Sequence, residues 1–269
     1  MRVRTVNLIL LLSALACASL RAQTPQELRA MFDSNQAFTL RDAVRNGHAP
    51  SFYRGAVADS ENRPGPAKSQ LDKSIQIDPH SKEAFEAHEM LSNGDWRAGH
   101  FHDALLEAEA AQAVKPDSAD LNNTLPLLRA LAKSPDMEVV ERRDSRFQMK
   151  RDSDGSRGLL MRIDGKEVTY GFDTGAALSV MGTSDAKLLG LAVIHVEARL
   201  SEASGTAVPG FDIAFARDLV IAGLHLRNVP FFVLQDTGEP FHHVVLNETA
   251  FPMAPLWPRV GMKKIDARQ

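Results

Sequence analysis

The sequence predicts an α+β multidomain protein, with an N-terminal α-helical repeat region and a C-terminal all-β domain. Between residues 23 and 133, apolar side chains recur at helical spacing and part of the pattern is repeated. After this region comes a charged stretch, residues 134–158, which we interpret as a linker. After Gly158 the pattern changes from helical to alternating, and we interpret residues 159–269 as the β domain.

The composition is that of a globular protein of 269 residues, long enough for one sizeable hydrophobic core or two small ones. Its 31 basic and 34 acidic residues leave a formal net charge of -3. No run of lysine and arginine forms the basic surface that nucleic-acid-binding proteins use. We therefore expect no nucleic-acid partner.

Residues 1–22 have the pattern of an export signal peptide. Two arginines precede a short apolar core, Val6 to Leu15, and small residues at Ala16 to Ala18 form a cleavage site. A second cleavage site precedes Gln23, so the mature chain would begin between Ser19 and Gln23. We expect a periplasmic or secreted protein.

Cys17 is the only cysteine, and either cleavage would remove it, so the mature protein would have no disulfide. Lipid attachment at Cys17 is the alternative fate of this residue. It is less expected, because Ala14 to Ala16 places its leucine one position away from the usual lipoprotein arrangement.

The helical region contains a repeat. Residues Ala67 to Ser81 match Ala104 to Ser118 at an offset of about 37, and a proline ends the helical pattern in both copies. In the second copy a turn is predicted at Gly94 to Phe101. In the first copy Asn62 to Pro66 replaces that turn, and we expect it to be looser.

This pattern resembles the tetratricopeptide repeat, in which helix pairs stack and a proline follows the second helix. Two repeats with flanking helices at Gln26 to Asn46 and Ala119 to Lys133 would form a small solenoid. Such a surface commonly binds a peptide or a protein partner. An ordinary helical hairpin packed against the other domain is the alternative.

The β domain begins with a hairpin pattern. Leu159 to Ile163 and Lys166 to Phe172 alternate in polarity and are joined by a two-residue turn, Asp164 and Gly165. Within the preceding linker, Val139 and its neighbour could form an edge strand. The second strand of the hairpin leads directly to an aspartate.

Residues suited to catalysis follow this hairpin. Phe172 to Ala176 read Phe-Asp-Thr-Gly-Ala, and an apolar strand comes next, Leu178 to Met181. A short helix then runs from Ser184 to Leu189 and is stopped by Gly190. This order of strand, Asp-Thr-Gly, strand and helix resembles the retroviral-type, or retropepsin-like, aspartic peptidases.

The resemblance implies an aspartic endopeptidase with Asp173 as its catalytic carboxylate. It also implies that Thr174 links the two active-site loops, that Gly175 lets them approach closely, and that Ala176 contacts the substrate. One motif per chain implies a homodimer acting on a peptide or protein. Its two carboxylates, about 3 Å apart, would share a proton and activate a water as base and acid. No metal ion or cofactor is needed.

A second Asp-Thr-Gly, Asp236 to Gly238, is interpreted as a turn, because Glu239 and Pro240 follow it where the family has a small residue and a strand. Asp236 is also too close to Asp173 in the sequence for each to belong to its own lobe of a pepsin-like enzyme.

The family places a mobile flap over the substrate, and a polar stretch between two apolar segments matches its position. Ser204, Gly205 and Thr206 are therefore predicted to contact the substrate. A surface hairpin is the alternative interpretation. Three further strands complete the all-β domain: Leu219 to Ile221, Leu224 to Leu226 and Val229 to Leu234.

The C-terminal part departs from the family pattern. Val245 and Leu246 are followed by Asn247 where the family has glycine, and Pro252 and Pro255 disfavour the helix expected next. Asparagine tolerates a left-handed backbone, so the loop itself could be kept. The departure leaves open a second hypothesis, a non-catalytic adaptor whose degenerate peptidase fold holds peptides or proteins without cleaving them.

Metal-binding patterns are incomplete. His88 and Glu89 begin like the helix of a zinc peptidase, but Ser92 stands where the second histidine is needed. His100 and His102 flank a predicted turn, with no third ligand expected nearby. We therefore predict no metal site.

Overall fold

A computed structural model describes residues 23–146, 150–151, 157–171, 179–198, 200–201, 207–208 and 210–235. Over these residues, seven helices precede a β-rich part, so the predicted α+β arrangement is confirmed. Contacts divide the chain into two compact units, Met1–Ile77 and Asp78–Gln269. The domain boundaries expected from the sequence stay predictions. Within the part of the chain that the structure describes, no helix is long and apolar enough to cross a membrane.

From residue 23 onward, where its description begins, the first unit has four helices: α1 Pro25–Asp33, α2 Ala37–Asn46, α3 Ser51–Ser60 and α4 Pro64–Ile77. A capping box starts α1, since the Thr24 side chain accepts from the Glu27 amide and the Glu27 carboxylate accepts from the Thr24 amide. Helices α3 and α4 pack closely at Gly55, where an added Cβ would lie 2.6 Å from Leu71 Cγ. Glycine is thus required at this helix contact.

The second unit begins with three helices: α5 Lys82–Ala98, α6 Phe101–Val114 and α7 Ala119–Leu131. The turn predicted at Gly94 to Phe101 is wrong in its length, because α5 continues through Gly94 to Ala98. The chain reverses only at Gly99, whose left-handed backbone (φ 81°) ends the helix. A glycine inside a helix is tolerated, whereas the left-handed position strongly favours one.

The repeat predicted from the sequence corresponds to two helical hairpins, α3–α4 and α5–α6. The bounds of α4 and α6 differ by the predicted offset at both ends. Asn62 and Gly99, each two positions before the start of these second helices, both have positive φ. The expectation of a looser first turn is wrong, because α4 already begins at Pro64. Proline suits the first turn of a helix, where an N–H group would have no acceptor within the helix.

The β-rich part contains twelve described strands and one helix, α8 Thr183–Leu189. In chain order the strands are β1 Glu138–Arg142, β2 Lys150–Arg151, β3 Arg157–Ile163, β4 Lys166–Gly171, β5 Val180–Gly182, β6 Val193–His195, β7 Leu200–Ser201, β8 Ala207–Val208, β9 Phe211–Ala216, β10 Leu219–Ile221, β11 Leu224–Arg227 and β12 Val229–Leu234.

The strands form two larger sheets and a separate hairpin. The first sheet has the order β1-β11-β10-β3-β2, with β4 also paired to β3, and the second has the order β5-β12-β9-β6. The hairpin is β7-β8. In the first sheet, the Asp164 and Gly165 turn joins β3 to β4 as predicted, and the Asp164 carboxylate accepts from the Asp218 amide at 2.8 Å. Strand β1, which contains Val139, lies at the edge of this sheet, as expected.

Strand β12 is buried on both faces, which explains its continuous apolar sequence. Phe231 is fully buried in the same cluster as Leu159 and Met161 of the first sheet. On the other face, the Phe232 ring packs against Trp96 of α5. The α5–α6 hairpin thus covers one face of the second sheet.

Candidate active site

The predicted catalytic segment connects the two sheets. Asp173, Thr174, Gly175 and Ala176 lie outside the described residues, in the interval 172–178. Strand β4 of the first sheet ends immediately before this interval, and β5 of the second sheet begins shortly after it. The described elements on both sides therefore determine where the segment starts and ends.

The C-terminal end of the segment is fixed by β12. Strand β5 pairs with β12 in parallel, with Val180 opposite Phe232. The Phe232 amide donates to the Ser179 carbonyl at 2.8 Å, and the Thr183 hydroxyl donates to the Leu234 carbonyl at 3.0 Å. Ser179 is only 1% exposed. These hydrogen bonds hold the residues that follow the predicted catalytic loop against β12.

The strand that enters the segment interacts with the helix that follows it. At the start of β4, the Lys166 ammonium donates to the Leu188 carbonyl near the end of α8 at 2.5 Å. Near the other end of β4, Tyr170 is buried, and Asp185 lies in the first turn of α8. Burial, and then the negative charge of Asp185, raise the pKa of Tyr170 above its usual value. Tyr170 is therefore neutral at physiological pH.

The predicted flap residues Ser204, Gly205 and Thr206 also lie outside the described residues. The strands on either side of them are described, and β7 pairs antiparallel with β8, with Ser201 opposite Ala207. The interval 202–206 thus connects two paired strands, which agrees with a hairpin. Its role as a flap stays a prediction.

The second Asp-Thr-Gly, at Asp236, and Asn247 lie outside the described residues, so both interpretations stay predictions. The export signal with Cys17 is likewise outside them.

Two histidines of the helical part contact carboxylates that lie far from them in the sequence. The His88 ring contacts the Glu107 carboxylate at 2.7 Å, and the His102 ring contacts the Asp136 carboxylate at 2.9 Å. Ligand atoms of Asp95, His100 and Asp103 lie within 4.8 Å of one another at the α5–α6 turn. Exposed groups of this kind are common on protein surfaces without an ion.

Comparisons with known proteins concern the β-rich part. Residues 160–246 match the family model described as aspartyl protease. Among solved structures, a retropepsin-like aspartic protease from Rickettsia conorii has 20% identity and a TM-score of 0.31, covering 39% of this chain and 84% of that one. The retroviral protease-like domain of Ddi1 from Leishmania major has 17% identity and a TM-score of 0.26, covering 36% and 75%. No curated protein gives a significant match. The range 160–246, which contains Asp173, is thus similar to aspartyl proteases.

Proposed function

We propose that this chain is an aspartic endopeptidase that hydrolyses peptide bonds as a homodimer. The observation that carries the proposal is the position of Asp173 inside the range that matches the aspartyl protease model. The described order of β4, then β5, then α8 around this residue agrees with the strand, Asp-Thr-Gly, strand and helix order predicted from the sequence.

The chemistry follows from two Asp173 carboxylates brought together by the dimer. Two like charges at short distance do not both form readily, so the pair shares one proton over a wide range of pH. The ionised carboxylate takes a proton from the attacking water, while the protonated one donates to the peptide carbonyl oxygen. Thr174 and Gly175 would hold the paired loops together. A shared proton favours activity at acid pH.

The remaining parts of the chain have supporting roles in this proposal. The hairpin that contains Ser204 to Thr206 would close over a peptide or protein substrate and exclude water. The repeated helical hairpins would act as tetratricopeptide-like repeats that bind a protein partner. An export signal in residues 1–22 would place the enzyme in the periplasm or outside the cell.

A non-catalytic adaptor is the second candidate function. It is favoured by Asn247, which replaces the glycine of the family pattern, and by the prolines that follow it. In this alternative the helical hairpins and the β-rich part bind peptides without cleaving them.

Cleavage of a mixed peptide library, followed by mass spectrometry from acid to neutral pH, separates the two functions. The test compares the wild-type mature chain with Asp173→Asn, and Asp236→Asn is the matched control, because it alters an identical tripeptide. The proposal predicts that cleavage is lost in Asp173→Asn and kept in Asp236→Asn. A folded, dimeric wild type that cleaves nothing would favour the adaptor.

A further inference from the structure

The α5–α6 hairpin contacts the second sheet through two aromatic pairs. The Trp96 and Phe232 rings are stacked, with centroids 6.5 Å apart and planes inclined by 5°. The Phe101 and Phe215 rings meet edge to face, with centroids 6.3 Å apart. Phe101 and Phe232 are buried, so these contacts belong to the core of the unit.

Of the two sheet residues in these pairs, Phe232 is hydrogen-bonded to Ser179, the residue that follows the predicted catalytic segment. Its amide donates to the Ser179 carbonyl, and its Cα is opposite Val180 in the parallel register. Its ring also packs against Phe211, with centroids 5.2 Å apart. Phe232 therefore joins the helical hairpin, through its side chain, to the chain that follows Asp173, through its backbone.

The short β5 strand depends on this arrangement. It has three residues, lies at the edge of its sheet, and pairs with β12 in the described part of the chain. A displacement of β12 would thus move β5 and the segment before it. A tryptophan contributes a large apolar contact area at low conformational cost, which suits it to hold a strand in place.

We infer that Trp96 is a positioning residue for the active site: it holds β12, which holds β5 and, through Ser179, the Asp173 segment. The inference rests on the proposed peptidase function. It also means that the unit needed for activity includes the α5–α6 hairpin, so that a fragment beginning near Leu159 would lack part of its own site.

The first test measures kcat and KM for a cleaved peptide with the full mature chain, at a temperature where circular dichroism shows every variant folded. We expect Trp96→Ala to lower kcat by roughly ten- to a hundredfold with little change in KM, because misplaced catalytic groups slow the chemical step. Trp96→Phe should restore most of the rate. The matched control is Phe215→Leu, which weakens the other aromatic pair of the same hairpin and should leave kcat within about twofold of wild type.

The second test needs no activity. Amide hydrogen exchange at Phe232 reports how often its hydrogen bond to the Ser179 carbonyl opens. Exchange at the Met161 amide of β3 reports general destabilisation of the protein. Trp96→Ala should accelerate exchange at Phe232 selectively, and Phe215→Leu should not. If the wild type cleaves nothing but this pattern is found, the proposed function fails and the supporting role of Trp96 stands. If the wild type cleaves and Trp96→Ala matches Phe215→Leu in both kcat and Phe232 exchange, the inference is overturned.

Discussion

The Lys166 ammonium donates a hydrogen bond of 2.5 Å to the Leu188 carbonyl, so the first residue of β4 caps the C-terminal end of α8. Carbonyl groups in the last turn of a helix have no N–H donor from a following turn, and the helix dipole favours a cation there. The contact joins the strand that enters the predicted catalytic segment to the helix that follows that segment.

Replacing this cation should loosen α8. We expect Lys166→Met to lower the free energy of unfolding by about 0.3–1 kcal/mol, the usual range for a cation at an exposed helix end. Lys166→Arg, which keeps the positive charge, should lower the free energy of unfolding by less. Urea denaturation at low ionic strength measures both changes. Equal stability of Lys166→Met and the wild type would show that the contact contributes nothing.

Tyr170 should make the protein sensitive to alkaline pH. Its pKa is raised by burial and by Asp185, from an ordinary value of 10.0. The folded state therefore holds this proton more tightly than the unfolded state, and the associated stability is fully present below about pH 10 and falls as the pH rises further. Tyr170→Phe removes the titrating group, so its stability should fall less steeply above pH 10. Thermal unfolding from pH 9 to 11.5 measures this difference. If the unfolding temperatures of the wild type and Tyr170→Phe fall equally steeply with pH, the raised pKa of Tyr170 is contradicted.

Two glycines of one helix should respond oppositely to alanine. Gly99 has a φ of 81°, and an added Cβ would lie 2.4 Å from Met137 Cβ, so Gly99→Ala should cost roughly 2 kcal/mol or more. Gly94 lies inside α5 with nothing within 4 Å of an added Cβ, so Gly94→Ala should stabilise by about 0.5–1 kcal/mol. Chemical denaturation of the two variants gives the comparison. If Gly99→Ala were as stable as the wild type, Gly99 could not be the left-handed residue that ends α5.

Local signals explain how much of the β-rich part could be predicted. Asp164 and Gly165 both adopt the positive φ of a two-residue hairpin turn, a conformation that these residue types tolerate. Gly190 ends α8 with a φ of 74°, again as the residue type suggests. In each case the structure is decided by a few neighbouring residues, which the sequence displays directly.

The contact between Trp96 and Phe232, which lies beside the predicted site, could not be predicted from local sequence signals. Trp96 and Phe232 are far apart in the chain, and each is assigned without the other: Trp96 falls within the predicted turn Gly94 to Phe101, and Phe232 within the predicted strand Val229 to Leu234. The pairing depends on which face of β12 meets which element, and periodicity does not specify that for a strand buried on both faces. The effect of Asp185 on Tyr170 likewise joins two elements, β4 and α8, and the local pattern of neither element shows that the two meet.

The error in the α5–α6 turn has a different physical origin. The sequence offers two glycines, Gly94 and Gly99, and a helix can continue through one of them at a cost of about 1 kcal/mol. Packing of α5 against its neighbours, with Trp96 on the second sheet, favours the longer helix. Only tertiary contacts decide which of these two glycines ends α5.

Mixing subunits gives a direct test of the proposed dyad of two Asp173 carboxylates from two chains. Wild-type protein is unfolded and refolded with an equal amount of Asp173→Asn, and cleavage is measured per wild-type chain. Activity per wild-type chain should fall by about half, because half of the wild-type chains then belong to mixed dimers with a single Asp173 carboxylate. Unchanged activity per wild-type chain would mean that each chain acts alone, and the dyad would have to be abandoned.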